Sequence, residues 1–142
     1  MRTEPDFSGA KLALLTGAQL VTLLRDDLPH IPWPGRWDFP GGGREGAESP
    51  SDCVLRETRE ELGLDLDEAR LIWRKRFLND DKRPAWFFVA RLAEAETAQI
   101  RLGDEGQDWA LMPLDDYFRH PRAIPHLQAR LRDFLENGPP LG

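Results

Sequence analysis

The chain has 142 residues, 40% of them hydrophobic and 31% charged, with 25 acidic side chains against 19 basic ones and a net charge of −6. That length and balance fit one globular domain, residues 1–142, and the acidic surplus weighs against a nucleic-acid-binding face, which would show as clustered Lys and Arg. No run approaches the roughly 18 apolar residues of a membrane span, no charged-then-apolar leader pattern opens the sequence, and the single cysteine, Cys53, excludes an intrachain disulfide and suits a reducing cytoplasm.

Two short apolar runs, Lys11 to Leu15 and Leu20 to Leu24, flank Thr16-Gly17-Ala18-Gln19 and predict a hairpin of core strands. Residues 25–36, rich in Pro and polar groups, read as a loop, and Trp37-Asp38-Phe39 as a brief strand. Trp33, Arg36, Trp37 and Phe39 offer aromatic faces and a cation able to stack a nucleobase; core packing is the competing account, preferred for Phe39. The next residues, Pro40-Gly41-Gly42-Gly43, carry no Cβ over three positions and can bring bare backbone against a ligand.

A helix follows over residues 50–62. Ser49 suits its N-cap, Pro50 its first position, Asp52 the positive end of the dipole and Gly63 its stop. Inside it Glu57, Glu60 and Glu61 stand at i, i+3 and i+4, one above another on one face. Like charges so stacked repel by a few tenths of a kcal/mol per pair, which Arg56 and Arg59 offset only in part. A hard divalent cation would compensate, since Mg²⁺ and Mn²⁺ take carboxylate oxygens and keep positions open for water and phosphates. The alternative is a solvated, salt-bridged surface helix. Cys53, inside the helix, reads as a buried thiol.

Further on, Leu71 to Leu78 and Ala85 to Leu92 predict a second hairpin, the latter run apolar enough to be buried on both faces. Residues 94–106 are mostly polar, Gln107 to Met112 suggests a last strand, and Ala123 to Leu135 has helical spacing in Ile124, Leu127, Leu131, Phe134 and Leu135. The tail ENGPPLG is expected to fray. His30, His120 and His126 lack ligand spacing and read as surface or packing residues. Hairpins mixed with helices suggest an α/β/α sandwich on a mixed sheet.

Residues 42–64 resemble the signature of the Nudix hydrolases, G-x5-E-x7-R-E-U-x-E-E-x-G-U with U a bulky apolar residue. Its positions fall on Gly42, Glu48, Arg56, Glu57, Thr58, Glu60, Glu61, Gly63 and Leu64, and only Thr58 departs from it. The resemblance implies the same α/β fold and hydrolysis of a phosphoanhydride by a water positioned on Mg²⁺, for which Mn²⁺ can substitute. It makes Glu57, Glu60, Glu61 and the Gly41 carbonyl the metal ligands, Arg56 the residue that fixes a carboxylate of the cluster, and Glu60 ligand, base or both; Glu48 either orients Arg56 or binds the metal through water, with plain stabilisation of the helix dipole as the competing account. Glu105, in the turn-rich GDEGQDW, is similar to a basic or metal-binding loop glutamate of some relatives, with Asp104 and Asp108 as competitors. Arg25 matches in rough position an arginine of relatives that destroy oxidised nucleotides. The expected substrate is a nucleoside triphosphate, with ADP-ribose or a nucleotide sugar as the enzymatic alternative. A Nudix fold used only for ligand sensing or protein binding is the alternative of another class, disfavoured because the helix keeps all its carboxylates. Relatives are often dimers, so a homodimer is compatible with the resemblance.

Overall fold

The computed structural model describes residues 6–141. Seven strands form one mixed sheet: β1 Gly9–Thr16, β2 Gln19–Leu24, β3 Trp37–Asp38, β4 Gly41–Gly43, β5 Leu71–Leu78, β6 Pro84–Arg91 and β7 Asp108–Pro113. The helices are α1 Pro50–Leu62, α2 Leu114–Arg119 and α3 Pro125–Asn137. β1 lies parallel to β6 over its length, while β5 pairs antiparallel with β6 and β7 with β2.

β1 and β2 form the expected hairpin only near their turn, where Leu15 faces Leu20 and Thr16 faces Gln19. Beyond that they part, and β3 pairs with the far end of β2 while β4 pairs with the far end of β1. The glycine triplet is therefore a strand rather than a bare loop, with Gly9 opposite Gly43 and Lys11 opposite Gly41. Glycine is ordinarily a poor strand former, which hides such a strand from sequence patterning.

Alternate residues of the central strands feed two cores, one on each face of the sheet. Leu12 and Leu14 of β1 and Phe88 of β6 pack against Val54 and Leu62 of α1. Ala13 and Leu15 of β1 and Phe87 and Val89 of β6 pack against Leu127, Leu131 and Phe134 of α3. The expected α/β/α layering is present. α3 starts two residues later than the apolar spacing suggests, because Ile124 precedes a proline and stays extended (φ −83, ψ 119). α2, six residues long, is too short to reveal a period. The tail is docked rather than frayed: Arg91 Nη2 donates to the Pro140 carbonyl, and Leu141 packs on the α3-side core. Among the described residues no helix is long and apolar enough to cross a membrane.

Candidate active site

Local chemistry fixes the ends of α1. The Ser49 side chain accepts from the Asp52 N–H at 3.1 Å, and Gly63, in the left-handed region at φ 68, donates its N–H to the Arg59 carbonyl at 2.9 Å. Cys53, Val54, Thr58 and Leu62 turn into the core. The Thr58 hydroxyl is satisfied by the Val54 carbonyl at 2.7 Å, so the one departure from the signature packs without an unpaired polar atom. Cys53 is buried, and burial pushes its thiol up to about 11.

Arg56 organises the acidic face. Its Nε donates to Glu48 Oε2 at 2.6 Å, Nη1 to Glu57 Oε1 at 2.7 Å and to Glu60 Oε2 at 3.1 Å, and Nη2 to the Gly43 carbonyl at 2.9 Å. One guanidinium thereby ties the helix to β4 and holds three carboxylates. The bond from Arg56 keeps the Glu48 carboxyl below its ordinary range, and the Glu45 N–H at 2.8 Å adds to this.

Glu61 turns the other way. Its Oε1 accepts the Gly41 N–H at 2.7 Å. Burial, reinforced by the nearby Asp38 and Glu57 charges and opposed by Lys11 and the Gly41 amide, pushes its carboxyl up to about 7. Lys11 Nζ donates to Asp38 Oδ2 at 2.8 Å and lies 3.4 Å from the carbonyls of Phe39 and Gly41. The glycines have steric reasons. Gly41 adopts φ 138 and a Cβ there would collide with the Ala10 carbonyl, while a Cβ on Gly42 would stand 2.7 Å from the Glu57 carboxylate.

Two cavities adjoin this arrangement. The smaller, about 280 Å³, is lined by Arg25, Asp26, Asp38, Glu61 and Glu105. The larger, about 710 Å³, is lined by Lys11, Arg25, Trp33, Asp38, Gly42 and Arg130, among others. Buried Asp38 borders both and holds Lys11 and Arg25, the latter at 2.9 Å.

The proposed site residues fare differently. Glu105 faces the cavity shared with Glu61, whereas Asp108 is turned back onto the Trp109 N–H at 2.8 Å. Arg25 borders both cavities, and Trp33, at φ 53 and 38% exposed, stands at the lip of the larger with its ring 5.8 Å from that of His126. Phe39 must be withdrawn as a substrate contact: it is fully buried between Phe87 and Tyr117, with ring centroids at 6.1 and 5.1 Å. Arg36 lines neither cavity; it lies 5.7 Å from the Trp33 ring and 3.4 Å from the carbonyls of Pro121 and Ala123, and so braces Trp33 from behind. His126 is more than a packing residue, because it lines the larger cavity. Sequence reasoning passed over Lys11, Asp38, Asn79 and Arg130. A lone Lys inside an apolar strand and an Asp between two aromatics were signals for the first two; Asn79 and Arg130 had none.

Among the described residues no three acids converge on one point as the side chains stand, because Arg56 holds Glu57 and Glu60 while the Gly41 amide holds Glu61. The available donors are nonetheless all oxygens, the set a hard divalent cation takes.

The NUDIX domain description matches residues 8–136. The chain belongs to the NUDIX family. This NUDIX chain is 29% identical over 100 residues to an RNA pyrophosphohydrolase of a Nitratiruptor species, covering 61% of itself and 64% of that protein. It is 45% identical over 38 residues to an 8-oxo-dGTP diphosphatase of Proteus vulgaris, covering 27% of itself and 34% of that protein. Both matches span less than two thirds of the relative's length. Among solved structures, a bifunctional NMN adenylyltransferase/ADP ribose pyrophosphatase from Francisella tularensis, complexed with AMP and a manganese ion, superposes with a TM-score of 0.74 at 18% identity, covering 98% of this chain and 44% of that one. That likeness is one of fold.

Proposed function

We propose that this NUDIX protein is a divalent-metal-dependent pyrophosphohydrolase of nucleoside triphosphates, releasing a nucleoside monophosphate and pyrophosphate. The observation that carries this reading is the Arg56-organised carboxylate face set against the glycine strand, beside a cavity of about 710 Å³. Relatives named for RNA pyrophosphohydrolase and 8-oxo-dGTP diphosphatase activity support phosphoanhydride chemistry. The AMP and manganese of the Francisella protein support a nucleotide and a divalent ion at such a fold.

Glu57, Glu60, Glu61 and the Gly41 carbonyl would hold Mg²⁺ or Mn²⁺, which supplies charge neutralisation on the phosphoryl oxygens and activation of the attacking water. Arg56 keeps Glu57 and Glu60 in place, a positioning role. Arg25, on the wall shared by the two cavities, and Lys11, which lines the larger, supply positive charge where a phosphate chain running from Gly42 would pass. Water attacks a phosphorus of the α–β anhydride, the P–O bond that links the α and β phosphoryl groups breaks so that pyrophosphate separates from the nucleoside monophosphate, and a carboxylate takes the water's proton. Glu60 and Glu105 are the acids offered for that step.

The test is phosphate and pyrophosphate release from a panel of nucleoside triphosphates, ADP-ribose and nucleotide sugars, with Mg²⁺, Mn²⁺ or chelator, for wild type and Glu60→Gln. Metal-dependent turnover of a triphosphate, lowered about 100-fold or more by the substitution, is expected. Turnover confined to ADP-ribose or a nucleotide sugar would replace the substrate, and metal binding without any turnover would leave a sensing module.

A further inference from the structure

Arg130 sits on α3 and lines the larger cavity, with 7% of its surface exposed. Its guanidinium lies 4.9 Å from the centre of the Phe77 ring, and Nη2 donates to Asn79 Oδ1 at 3.2 Å. Asn79 donates in turn from Nδ2 to Ser8 Oγ at 2.9 Å, and Ser8 Oγ donates to the Pro84 carbonyl at 3.2 Å. These neutral groups tie the guanidinium to the start of β1, where Gly9 faces Gly43, and Ser8, Gly9 and Gly43 line the same cavity. Among the described residues Arg130 forms no salt bridge, and its Nε and Nη1 meet no acceptor. No buried side-chain nitrogen among those residues lacks a partner, so the two donors are not sealed in the core but keep access to the cavity.

A guanidinium keeps its charge in a protein, and withdrawing it from water is costly unless an anion compensates it. The neighbouring groups do not. Lys11 and Arg25, in the same cavity, share the single carboxylate of Asp38. His126, four residues before Arg130 on α3 and also on the cavity wall, is held below its ordinary range by burial and by the Arg130 charge, which leaves its ring neutral at pH 7. Asp80 and Asp81 border the cavity from the turn between β5 and β6, but both are exposed. Asp81 Oδ1 accepts the Arg83 N–H at 2.9 Å, and Asp80 favours the Arg130 charge through space without pairing with it. A neutral ligand would leave that charge as it is. An oxyanion compensates it, and the planar fork of N–H groups suits two oxygens of one phosphate. With Lys11, Arg25 and Arg130 set against one well-held carboxylate, the cavity calls for a ligand with more than one negative charge, which favours phosphate over a lone carboxylate.

We propose that Arg130, positioned by Asn79, anchors a metal-independent oxyanion site in the larger cavity that takes a phosphate or diphosphate group. Neither the carboxylate face of α1 nor a divalent ion forms part of this site, so it does not depend on the hydrolase reading. Under that reading the group is the phosphate kept by the nucleotide or the pyrophosphate that leaves.

The test is titration calorimetry with pyrophosphate and, separately, with AMP, in chelator and without metal, on wild type, Arg130→Lys, Arg130→Met and Asn79→Asp. Wild type should bind pyrophosphate, and less tightly as salt is raised. Arg130→Met should weaken binding about tenfold or more, as expected for a charge-assisted hydrogen bond, whereas Arg130→Lys keeps the charge without the fork and should lose less. Asn79→Asp should place a carboxylate on the guanidinium and weaken binding as Arg130→Met does, a second route should the latter unfold. Weakening of pyrophosphate alone assigns the site to the leaving group, weakening of AMP alone assigns it to the phosphate kept by the nucleotide, and weakening of both makes it common to the two. Absence of metal-free binding of either compound, or equal binding by wild type, Arg130→Met and Asn79→Asp, would overturn the proposal. Metal-dependent turnover judges the hydrolase reading separately: Arg130-dependent binding without turnover keeps the oxyanion site and removes the enzyme, and turnover without such binding does the reverse.

Discussion

Burial and two neighbouring negative charges oppose the ionised form of Glu61, and its carboxyl is pushed up to about 7 from an ordinary 4.5. An acid whose folded pKa lies above its unfolded one contributes stability while protonated, in full below about 4.5, and the contribution is lost as the pH rises through about 7. For a shift of this size the loss is about 3 kcal/mol. With chelator present, the melting temperature of wild type should therefore fall relative to Glu61→Gln between about pH 5 and pH 8, by roughly 6–12 °C for a domain of this length. Calorimetric scans at both pH values check this, and parallel profiles for the two proteins would remove it. Added Mg²⁺ or Mn²⁺ should raise the melting temperature of wild type above pH 7 more than that of Glu61→Gln, because the substitution removes one of the three carboxylates offered to the ion. Gly41 gives a different kind of residue effect. At φ 138, with the Ala10 carbonyl where a Cβ would go, Gly41→Ala should cost about 3 kcal/mol or more, read as a lower urea midpoint.

Among the elements α1 was the most legible, because both of its ends are written in local chemistry: a side chain that caps, a proline that starts and a glycine that stops. Removing the Ser49 cap should cost about 1 kcal/mol, and Ser49→Ala should lower the melting temperature by roughly 2–4 °C. The glycine strand and α2 were not legible. β4 exists only because β1 and β2 part and leave an edge to be filled, a tertiary fact with no local pattern, and α2 is shorter than the window over which periodicity accumulates. The same division runs through the site. Glu57, Glu60, Glu61 and Arg56 share one helix, so their spacing carried the information. Asn79 and Arg130 come from a turn and a helix 51 residues apart in sequence, and nothing in either segment announces the other. Phe39, for which core packing was already the preferred account, is in the core; its candidacy as a substrate contact arose because an aromatic beside a glycine loop looks the same in sequence whether it faces solvent or core.

At the scale of the molecule, the two cores are joined across the sheet and tied at the α3 side by Tyr117. Its hydroxyl donates to the Trp37 carbonyl at 2.9 Å and accepts from the Ile124 N–H at 3.3 Å, linking α2, β3 and the approach to α3. Tyr117→Phe removes the side-chain partner of both backbone groups, the Ile124 N–H being buried, and should cost about 1–3 kcal/mol. Urea unfolding should show a lower midpoint with an unchanged slope, since the surface exposed on unfolding is the same.

Asp38 and Arg25 are a party wall between two rooms. The larger room holds Trp33 and Arg130, the smaller Glu61 and Glu105, and only the wall belongs to both. A substitution at Asp38 or Arg25 is therefore felt in both rooms at once, whereas one at Arg130 or Trp33 reshapes the larger room alone.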